Sequence, residues 1–270
     1  MLEPMIIEGD WERDGAVCVR QAFAADAMAL AEAAIDANLD DLSPLAKRAS
    51  ADDDAPFIED FCNWNRLPAM EQFIRESGAA EIAAELTGSA TIRLFHDHML
   101  TKEPGTRQRT PWHQDQPYYN VEGSMNASMW LPVDPVPLDT SLQLIAGTHA
   151  GPWFLPRTFL DEQAKWFPEG SLVELPDFEA DPERWPVLAW ELEPGDAVFF
   201  NFLTVHGAPG VPGTDRRRVL SVRFLGDDMV HAPRPWTTSP PFAGLDDQLD
   251  AGAPMIHPLF PVLYRQDALS

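Results

Sequence analysis

The decapeptide TPWHQDQPYY at positions 110–119 places a histidine and an aspartate two residues apart among aromatic side chains. Alternate residues of a strand point to the same side, so His113 and Asp115 are predicted to share one face. A third candidate, His206, lies in VFFNFLTVHGAPG, at the expected end of an apolar strand and just before a Gly/Pro turn. The three residues are therefore candidate metal ligands.

Two imidazoles and one carboxylate that leave the opposite side of a metal open are the ligand set of non-haem Fe(II) oxygenases. The spacing alone leaves a second interpretation open, in which the histidines are structural and hydrogen-bonded in a polar groove. The secondary structure predicted around the three residues helps to decide between a metal site and structural histidines.

Short segments rich in β-branched and aromatic residues follow one another from residue 90 and predict strands. They are ATIRLFHDHMLTKEPG, SMNASMWLPVDPV, SLQLIAGTH, AWELEPGDAVFFNF and RRVLSVRFLG. Strands without helices between them indicate a sandwich or barrel, and 26 prolines with 16 glycines supply its corners.

Before residue 90 the chain is predicted to be mostly helical. Apolar spacing predicts helices over 24–39 and 69–86, the second ended by Thr87 and Gly88, with the acidic stretch ASADDDAP as an exposed loop between them. We expect a single domain over residues 1–270. It would comprise a mostly helical part (1–89), a strand core (90–228) and an irregular, Pro-rich C-terminal segment (229–270) that packs on the core.

The charge balance restricts the class of partner. The chain has 19 basic and 43 acidic residues, a net charge of -24, which disfavours nucleic acids, anionic membranes and polyanionic substrates. A small, uncharged or zwitterionic substrate fits better. The cluster Arg216, Arg217 and Arg218 could nevertheless outweigh the negative electrostatic potential of the chain locally. Cys18 and Cys62 are too few for a disulfide framework. With neither a signal peptide nor a membrane span in the sequence, we expect a cytoplasmic monomer or homodimer.

Taken in order, five segments resemble the phytanoyl-CoA dioxygenase family of Fe(II)/2-oxoglutarate oxygenases. They are TPWHQDQPYY, SMWLPVDPV, SLQLIAGTHAG, EPGDAVFFNFLTVHGAPG and DRRRVLSVRFLGDD, and the similarity spans about residues 90 to 228, with a weaker match before it. The resemblance implies a mainly β fold with flanking helices and a double-stranded β-helix core (jelly roll, cupin-like). It also implies Fe(II) bound by His113, Asp115 and His206, with 2-oxoglutarate as cosubstrate and O₂ as oxidant.

The resemblance implies further residues on the cosubstrate side. In the family, an arginine eleven residues after the distal histidine binds the far carboxylate of 2-oxoglutarate, and that position is Arg217 here. A guanidinium offers two parallel donors to a carboxylate. Strand alternation would turn Arg216 and Arg218 away, although three consecutive arginines could also form a solvated surface. Three other residues are expected to contact the cosubstrate: Trp130, which could equally be a core aromatic, Gln143 and Thr204.

The substrate side is predicted from the strand LFHDHML, which forms a wall of the pocket in the family, so His98 or Asp97 is expected to contact substrate or cosubstrate. The aromatic residues Tyr118 and Trp153 could line an apolar pocket or a cage for a cationic group, or belong to the core. His149, in a GTH turn, is expected to be structural.

The predicted function is that of a dioxygenase that hydroxylates an unactivated C–H bond of a small metabolite and releases succinate and CO₂. Related halogenases carry Gly or Ala at the carboxylate position, so Asp115 favours hydroxylation. One alternative is a cupin-like metalloenzyme that uses no keto acid, in which His96 and His98 join His113 around a metal. Another is a non-catalytic binding protein on the same fold.

Overall fold

The computed structural model describes residues 5–156, 167–168 and 170–266. Within them the helices are α1 Trp11–Asp14, α2 Ala25–Asp40, α3 Pro68–Glu76 and α4 Ala79–Thr87. The strands are β1 Ile6–Asp10, β2 Ala16–Arg20, β3 Lys47–Arg48, β4 Phe57–Phe61, β5 Thr91–Lys102, β6 Thr110–His113, β7 Val121–Glu122, β8 Asn126–Pro132, β9 Gln143–Ile145, β10 Val187–Leu188, β11 Ala197–Phe200, β12 His206–Ala208, β13 Arg217–Leu225, β14 Val230–His231 and β15 Val262–Arg265.

The strands form two main antiparallel sheets. The large sheet has the order β1-β2-β11-β8-β13-β5-β4-β3, with β15 also paired to β5, and the small sheet has the order β10-β9-β12-β6. One apolar cluster joins them, with Trp130 and Phe200 from the large sheet and Leu144 and Ala208 from the small one. Two facing sheets flanked by helices confirm the predicted jelly-roll core.

The large sheet is covered on both faces, which explains the continuous apolar runs in its strands. In β2, Val17 and Val19 pack with the helices, whereas Ala16 and Cys18 belong to the cluster between the sheets. The helices therefore back the large sheet, and the small sheet covers its inner face. The inner face is where polar residues of the large sheet can meet those of the small sheet.

The N-terminal third is less helical than predicted. It contributes β1 to β4 to the large sheet, and none of these strands was foreseen. The single helix expected over 69–86 is two helices, because Gly78 adopts a left-handed conformation with φ +85° between α3 and α4. The other helix agrees with the prediction, and Gly88 ends α4 with φ +68°.

The described part of the C-terminal segment, residues 229–266, is largely irregular and packs on the core. Phe260 lies 5.5 Å from Phe95, measured between ring centroids. The prediction missed β15, which returns to pair with β5 at the start of that strand. In the part of the chain that the structure describes, no helix is both long and apolar enough to cross a membrane.

Candidate metal centre and adjoining cavities

The three predicted ligands converge between the two sheets. In the small sheet His113 of β6 lies directly opposite His206 of β12, with 4.2 Å between their ring centroids. Oδ1 of Asp115 lies 3.8 Å from Nε2 of each histidine. Among the described residues, this is the one group of three or more His, Cys, Asp or Glu whose ligand atoms all lie within 4.8 Å.

The local structure differs from the expected strand. β6 ends at His113, and Asp115 adopts φ -73° and ψ -45° at the start of the 3-10 helix Gln116–Tyr118. Its N–H donates to the carbonyl oxygen of Phe202 at 2.8 Å. His206 begins β12 instead of ending an apolar strand, because a turn at 201–205 follows β11. Turns therefore bring the carboxylate and the distal histidine to the centre.

The buried Gln114 fixes the turn that carries Asp115. Its Nε2 donates to the carbonyl oxygens of Leu203 at 2.8 Å and Pro152 at 3.1 Å, and its Oε1 accepts from the N–H of Phe154 at 2.7 Å. These bonds connect the segment that follows β6 to the turn that precedes β12. Hydrogen bonds of the Gln114 amide thus link the two ligand-bearing segments.

Main-chain carbonyls orient the imidazoles. Nδ1 of His113 lies 2.8 Å from the carbonyl oxygen of Pro111, and Nδ1 of His206 lies 2.9 Å from that of Thr204. A carbonyl can only accept, so each Nδ1 carries the proton and each Nε2 lone pair is available to a metal. Burial lowers the pKa of both histidines, that of His206 to about 3, which keeps the rings neutral.

The Asp115 carboxylate is held by two residues that the sequence analysis missed. Ser128 Oγ donates to Oδ2 at 2.7 Å, and Nη2 of Arg223 lies 3.2 Å from the same oxygen. Burial alone would raise the pKa of Asp115, but Arg223 and then His206 outweigh it and hold that pKa well below its usual range. Oδ2 therefore has the shorter protein contacts, and Oδ1, which Nη2 of Arg223 reaches at 3.5 Å, faces the histidines.

Strand alternation would have revealed Arg223. In RRVLSVRFL the residues at 217, 219, 221 and 223 share one face, so the face that presents Arg217 also presents Arg223. Nη1 of Arg223 also donates to Ser221 Oγ at 2.6 Å.

A cavity beside the histidines, here called the inner cavity, is enclosed by both sheets. The large sheet contributes Lys102, Trp130 and Arg217, and the small-sheet side contributes Leu142, His113 and His206. Trp130, a predicted cosubstrate contact, lines this cavity, and its ring centroid lies 5.8 Å from the guanidinium carbon of Arg217.

The structure places Arg217, and neither of its neighbours, in the inner cavity. Its Nη2 donates to the carbonyl oxygen of Pro209 at 3.1 Å, and Nη1 donates to that of Thr140. Burial lowers the pKa of Arg217 to about 10, so the group stays charged at neutral pH. Arg216 pairs with Glu103 at 2.9 Å and Arg218 with Asp134 at 2.8 Å, both away from the cavity.

Two of the predicted cosubstrate contacts lie elsewhere. Thr204 Oγ1 donates to the carbonyl oxygen of Gly15 at 2.7 Å, and this threonine acts on the centre through its own carbonyl, which orients His206. Gln143 lines a separate surface depression, because Leu142 and Leu144 on either side of it point inward.

A second cavity, here called the outer cavity, lies on the side of Asp115. It is lined by Lys47, Phe61, Tyr118, Tyr119 and Ser239, and it shares Glu59, His98, His113 and Arg223 with the inner cavity. His98 and Tyr118, two of the predicted substrate contacts, both line this cavity. Nε2 of His98 lies 3.4 Å from Oε1 of Glu59, and burial lowers the pKa of this histidine.

Asp97 and Trp153 do not line either cavity. The Asp97 carboxylate accepts the N–H groups of Asn63 at 2.9 Å and Trp64 at 2.8 Å, and burial raises its pKa to about 6. Strand alternation explains this, since Asp97 faces away from His98. Trp153 instead packs against Arg234, 4.7 Å from its guanidinium carbon.

The remaining histidines do not extend the centre. His149 lies 3.2 Å from the carbonyl oxygen of Glu12, in the structural role expected for it. Nδ1 of His96 lies 3.1 Å from the carbonyl oxygen of Asp97, and neither His96 nor His98 joins the ligand group found among the described residues. The alternative metal site built on that pair lacks support.

A family model described as phytanoyl-CoA dioxygenase (PhyH) matches residues 11–219, well over half of the chain. The chain belongs to the phytanoyl-CoA dioxygenase family. A probable phytanoyl-CoA dioxygenase of Caenorhabditis elegans is 25% identical over 183 residues, which are 64% of this chain and 54% of that protein. The alignment thus spans about half the length of this curated family member.

Solved structures share the fold at low identity. The α-ketoglutarate-dependent carbocyclase SnoK from nogalamycin biosynthesis has a TM-score of 0.71 and 20% identity, covering 94% of this chain and 93% of its own. The epimerase SnoN, in complex with Fe³⁺, α-ketoglutarate and nogalamycin RO, has a TM-score of 0.69 and 21% identity, covering 94% of this chain and 95% of its own. EctD from S. alaskensis, with 2-oxoglutarate and 5-hydroxyectoine, has a TM-score of 0.64 and 20% identity, covering 90% of this chain and 82% of its own. Iron and 2-oxoglutarate, the predicted cofactors, are thus those of an enzyme with this fold.

Proposed function

We propose that the protein is an Fe(II)- and 2-oxoglutarate-dependent dioxygenase that hydroxylates an unactivated C–H bond of a small organic metabolite. The observation that carries the proposal is the His113, Asp115 and His206 group at the wall of a cavity that also contains Arg217. Membership of the family and the cofactors of SnoN and EctD support it.

The donor set fits iron. Two neutral imidazoles and one carboxylate oxygen lie within 4.8 Å of one another, and both cavities reach these residues, which leaves room for the open positions of a facial triad. When bound, iron and 2-oxoglutarate use O₂ to oxidise a C–H bond and release CO₂ and succinate. The chain's own part is to hold the metal through the triad and the far carboxylate of the cosubstrate through Arg217, and to exclude water by burial.

Asp115 favours hydroxylation over halogenation. Its Oδ1 faces both histidines, so the carboxylate fills the position that halogenases of this class leave to chloride. The neighbours named above include a carbocyclase and an epimerase, so enzymes of this fold perform other reactions as well.

The surface outside the centre supports a small substrate over a coenzyme A thioester. Pro111 lines both the outer cavity and a cleft of about 830 Å³ at the surface. The cleft contains Arg107 and Arg109, but both already lie near carboxylates, those of Asp54 at 3.4 Å and Glu179 at 3.8 Å. A polyphosphate would have to displace these acidic groups within a chain of net charge -24.

An anaerobic titration tests the proposal. Metal-free protein is titrated with Fe(II) and then with 2-oxoglutarate, and the visible absorption band of an iron-bound 2-oxo acid is followed. We expect the band in the wild type, none in His206→Ala, and a need for far more 2-oxoglutarate in Arg217→Ala. Arg216→Ala, at the exposed neighbouring position, serves as the matched control and should behave like the wild type.

Iron binding without a band in the wild type would contradict the proposal. The substrate class is tested separately, by succinate release with panels of small metabolites and of acyl-CoA esters. Turnover of acyl-CoA esters alone would overturn the preference for a small substrate and leave the oxygenase assignment in place.

A further inference from the structure

Two cationic side chains lie next to each other in the inner cavity. Lys102 of β5 is the direct cross-strand neighbour of Arg217 of β13, and both line the cavity. Their exposed fractions are 2% and 5%. Both donate to the carbonyl oxygen of Pro209, Lys102 at 2.9 Å and Arg217 at 3.1 Å. The two charges therefore lie on either side of one acceptor.

Neither cation forms an ion pair with a carboxylate of the described residues. The other acceptors of Lys102 are the carbonyl oxygens of Gln108 at 2.8 Å and Ala208 at 3.4 Å, and that of Arg217 is the carbonyl oxygen of Thr140. Carbonyl groups satisfy N–H donors but cannot neutralise a charge. Three nearby arginines do have carboxylate partners: Arg216 with Glu103, Arg218 with Asp134 and Arg223 with Asp115.

Burying two like charges side by side costs free energy unless an anion joins them. The chain has 43 acidic residues, so a carboxylate for this position would have been easy to supply. Glu59 lines the same cavity, but its carboxylate lies 3.4 Å from Nε2 of His98 and forms no ion pair with either cation. The cavity therefore leaves both cations available to an anion that enters from outside. Aromatic rings support both groups, with Phe57 4.5 Å from Nζ of Lys102 and Trp130 5.8 Å from the carbon of the guanidinium.

We propose that Lys102 and Arg217 together bind the C5 carboxylate of 2-oxoglutarate, so that Lys102 is a second residue that selects a dicarboxylate cosubstrate. This inference rests on the proposed function. Arg217 supplies the planar pair of donors, and Lys102 adds a charged donor from the adjacent strand.

The competing explanation is that Lys102 only supports the chain around it. Its ammonium group bonds carbonyls at 108, 208 and 209, and so connects the segment after β5 to the end of β12. A purely structural lysine would affect any 2-oxo acid equally, whereas a carboxylate-binding lysine affects only those that carry the second carboxylate. A pair of ligands separates the two roles.

The experiment compares 2-oxoglutarate with 2-oxovalerate, which has a methyl group in place of the C5 carboxylate. Dissociation constants are measured anaerobically on the Fe(II)-loaded protein by the absorption band, and on the Mn(II)-loaded protein by calorimetry. Lys102→Met should raise the Kd of 2-oxoglutarate about tenfold or more, as expected for a lost charge-assisted hydrogen bond, and change that of 2-oxovalerate less than about twofold. Arg216→Met, the exposed control, should leave both constants unchanged.

Lys102→Gln loses the charge but keeps an amide donor for the carbonyls, so it provides the same test if the methionine variant does not fold. Equal weakening of both ligands would show a structural role, and unchanged constants would show no role; either result overturns the inference. These results differ from a failure of the proposed function, in which the wild type itself binds iron but neither 2-oxo acid.

Discussion

Arg223 makes its shortest contact to Asp115 at Oδ2, the carboxylate oxygen that Ser128 also binds. The distance from Nη2 of Arg223 to Oδ2 is 3.2 Å, and Oδ1 lies 3.8 Å from Nε2 of both His113 and His206. Ser128 donates to the same Oδ2 at 2.7 Å. The protein thus holds Oδ2 by two short contacts and Oδ1 by one longer contact, from Nη2 of Arg223 at 3.5 Å, so Oδ1 is the oxygen more available to a metal.

This arrangement predicts that Arg223→Met weakens metal binding by about 10- to 100-fold, the usual effect of losing a group that orients a ligand. Without the guanidinium, the buried carboxylate can rotate and its pKa rises, so protons compete better with the metal. Anaerobic competition titrations with Fe(II) and Co(II) measure the affinity. Arg223→Lys keeps the charge without the planar contact and should give an intermediate value. An unchanged affinity in the methionine variant would show that Ser128 alone is sufficient.

The buried histidines predict that the metal-free protein is less stable in mild acid. Burial lowers the pKa of His96, His98, His113 and His206, so the unfolded chain binds more protons than the folded one below about pH 6.5. Stability should therefore fall from pH 7 to pH 5. His206, with a pKa of about 3, accounts for about 2 kcal/mol of the loss at pH 5.

One group opposes this trend. Asp97, whose pKa burial raises to about 6, takes up a proton more readily when folded and offsets part of the loss. Urea unfolding of the metal-free protein at pH 7 and pH 5 measures the net change. His206→Gln should show a smaller difference between the two values of pH, and a wild type that is equally stable at both would contradict the assignment of neutral histidines.

The Gln114 bonds predict a loss of stability when the amide is removed. Gln114→Leu leaves the N–H of Phe154 and the carbonyls of Pro152 and Leu203 without this partner, which costs about 1–3 kcal/mol of unfolding free energy. Gln143→Leu, at a half-buried position outside both cavities, is the matched control and should change stability little. Urea unfolding measures both variants, and equal losses would show that Gln114 has no special role.

The sequence predicted the residues of the centre better than their local structure. Alternation in a strand suggested that His113 and Asp115 face the same way, and they do converge, but through a turn that the Phe202 carbonyl and Gln114 stabilise. Those contacts join positions far apart in the chain, and no local pattern records them. The family resemblance identified Arg217 among three arginines, and its neighbours lie outside the inner cavity because alternation does apply to β13.

The missed features depend on tertiary contacts or on weak local signals. β3 has only two residues and β1 is exposed on every residue, so neither carries an apolar alternation that would mark a strand. Alternation puts Arg223 on the same face of β13 as Arg217, and Lys102 on the same face of β5 as His98. The roles of Lys102 and Arg223 depend on which charged groups lie next to them on neighbouring strands. A single sequence does not specify which strands pair.

The position of Lys102 predicts that 2-oxoglutarate binds more weakly as the pH rises. Burial, followed by the charge of Arg217, lowers the pKa of Lys102 well below its usual range, while Glu59 and Asp54 oppose this and Arg109 adds to it. A bound carboxylate raises that pKa again, so binding takes up a proton and loses affinity once the free protein has released it. Arg217, with a pKa of about 10, stays charged between pH 6.5 and pH 9 and does not produce the trend.

Titrations of the metal-loaded wild type across this range should show the Kd rising with pH, and calorimetry in buffers of different ionisation enthalpy should show proton uptake. Lys102→Met should give a flat profile, and a flat profile in the wild type would mean that Lys102 keeps its proton in the free protein.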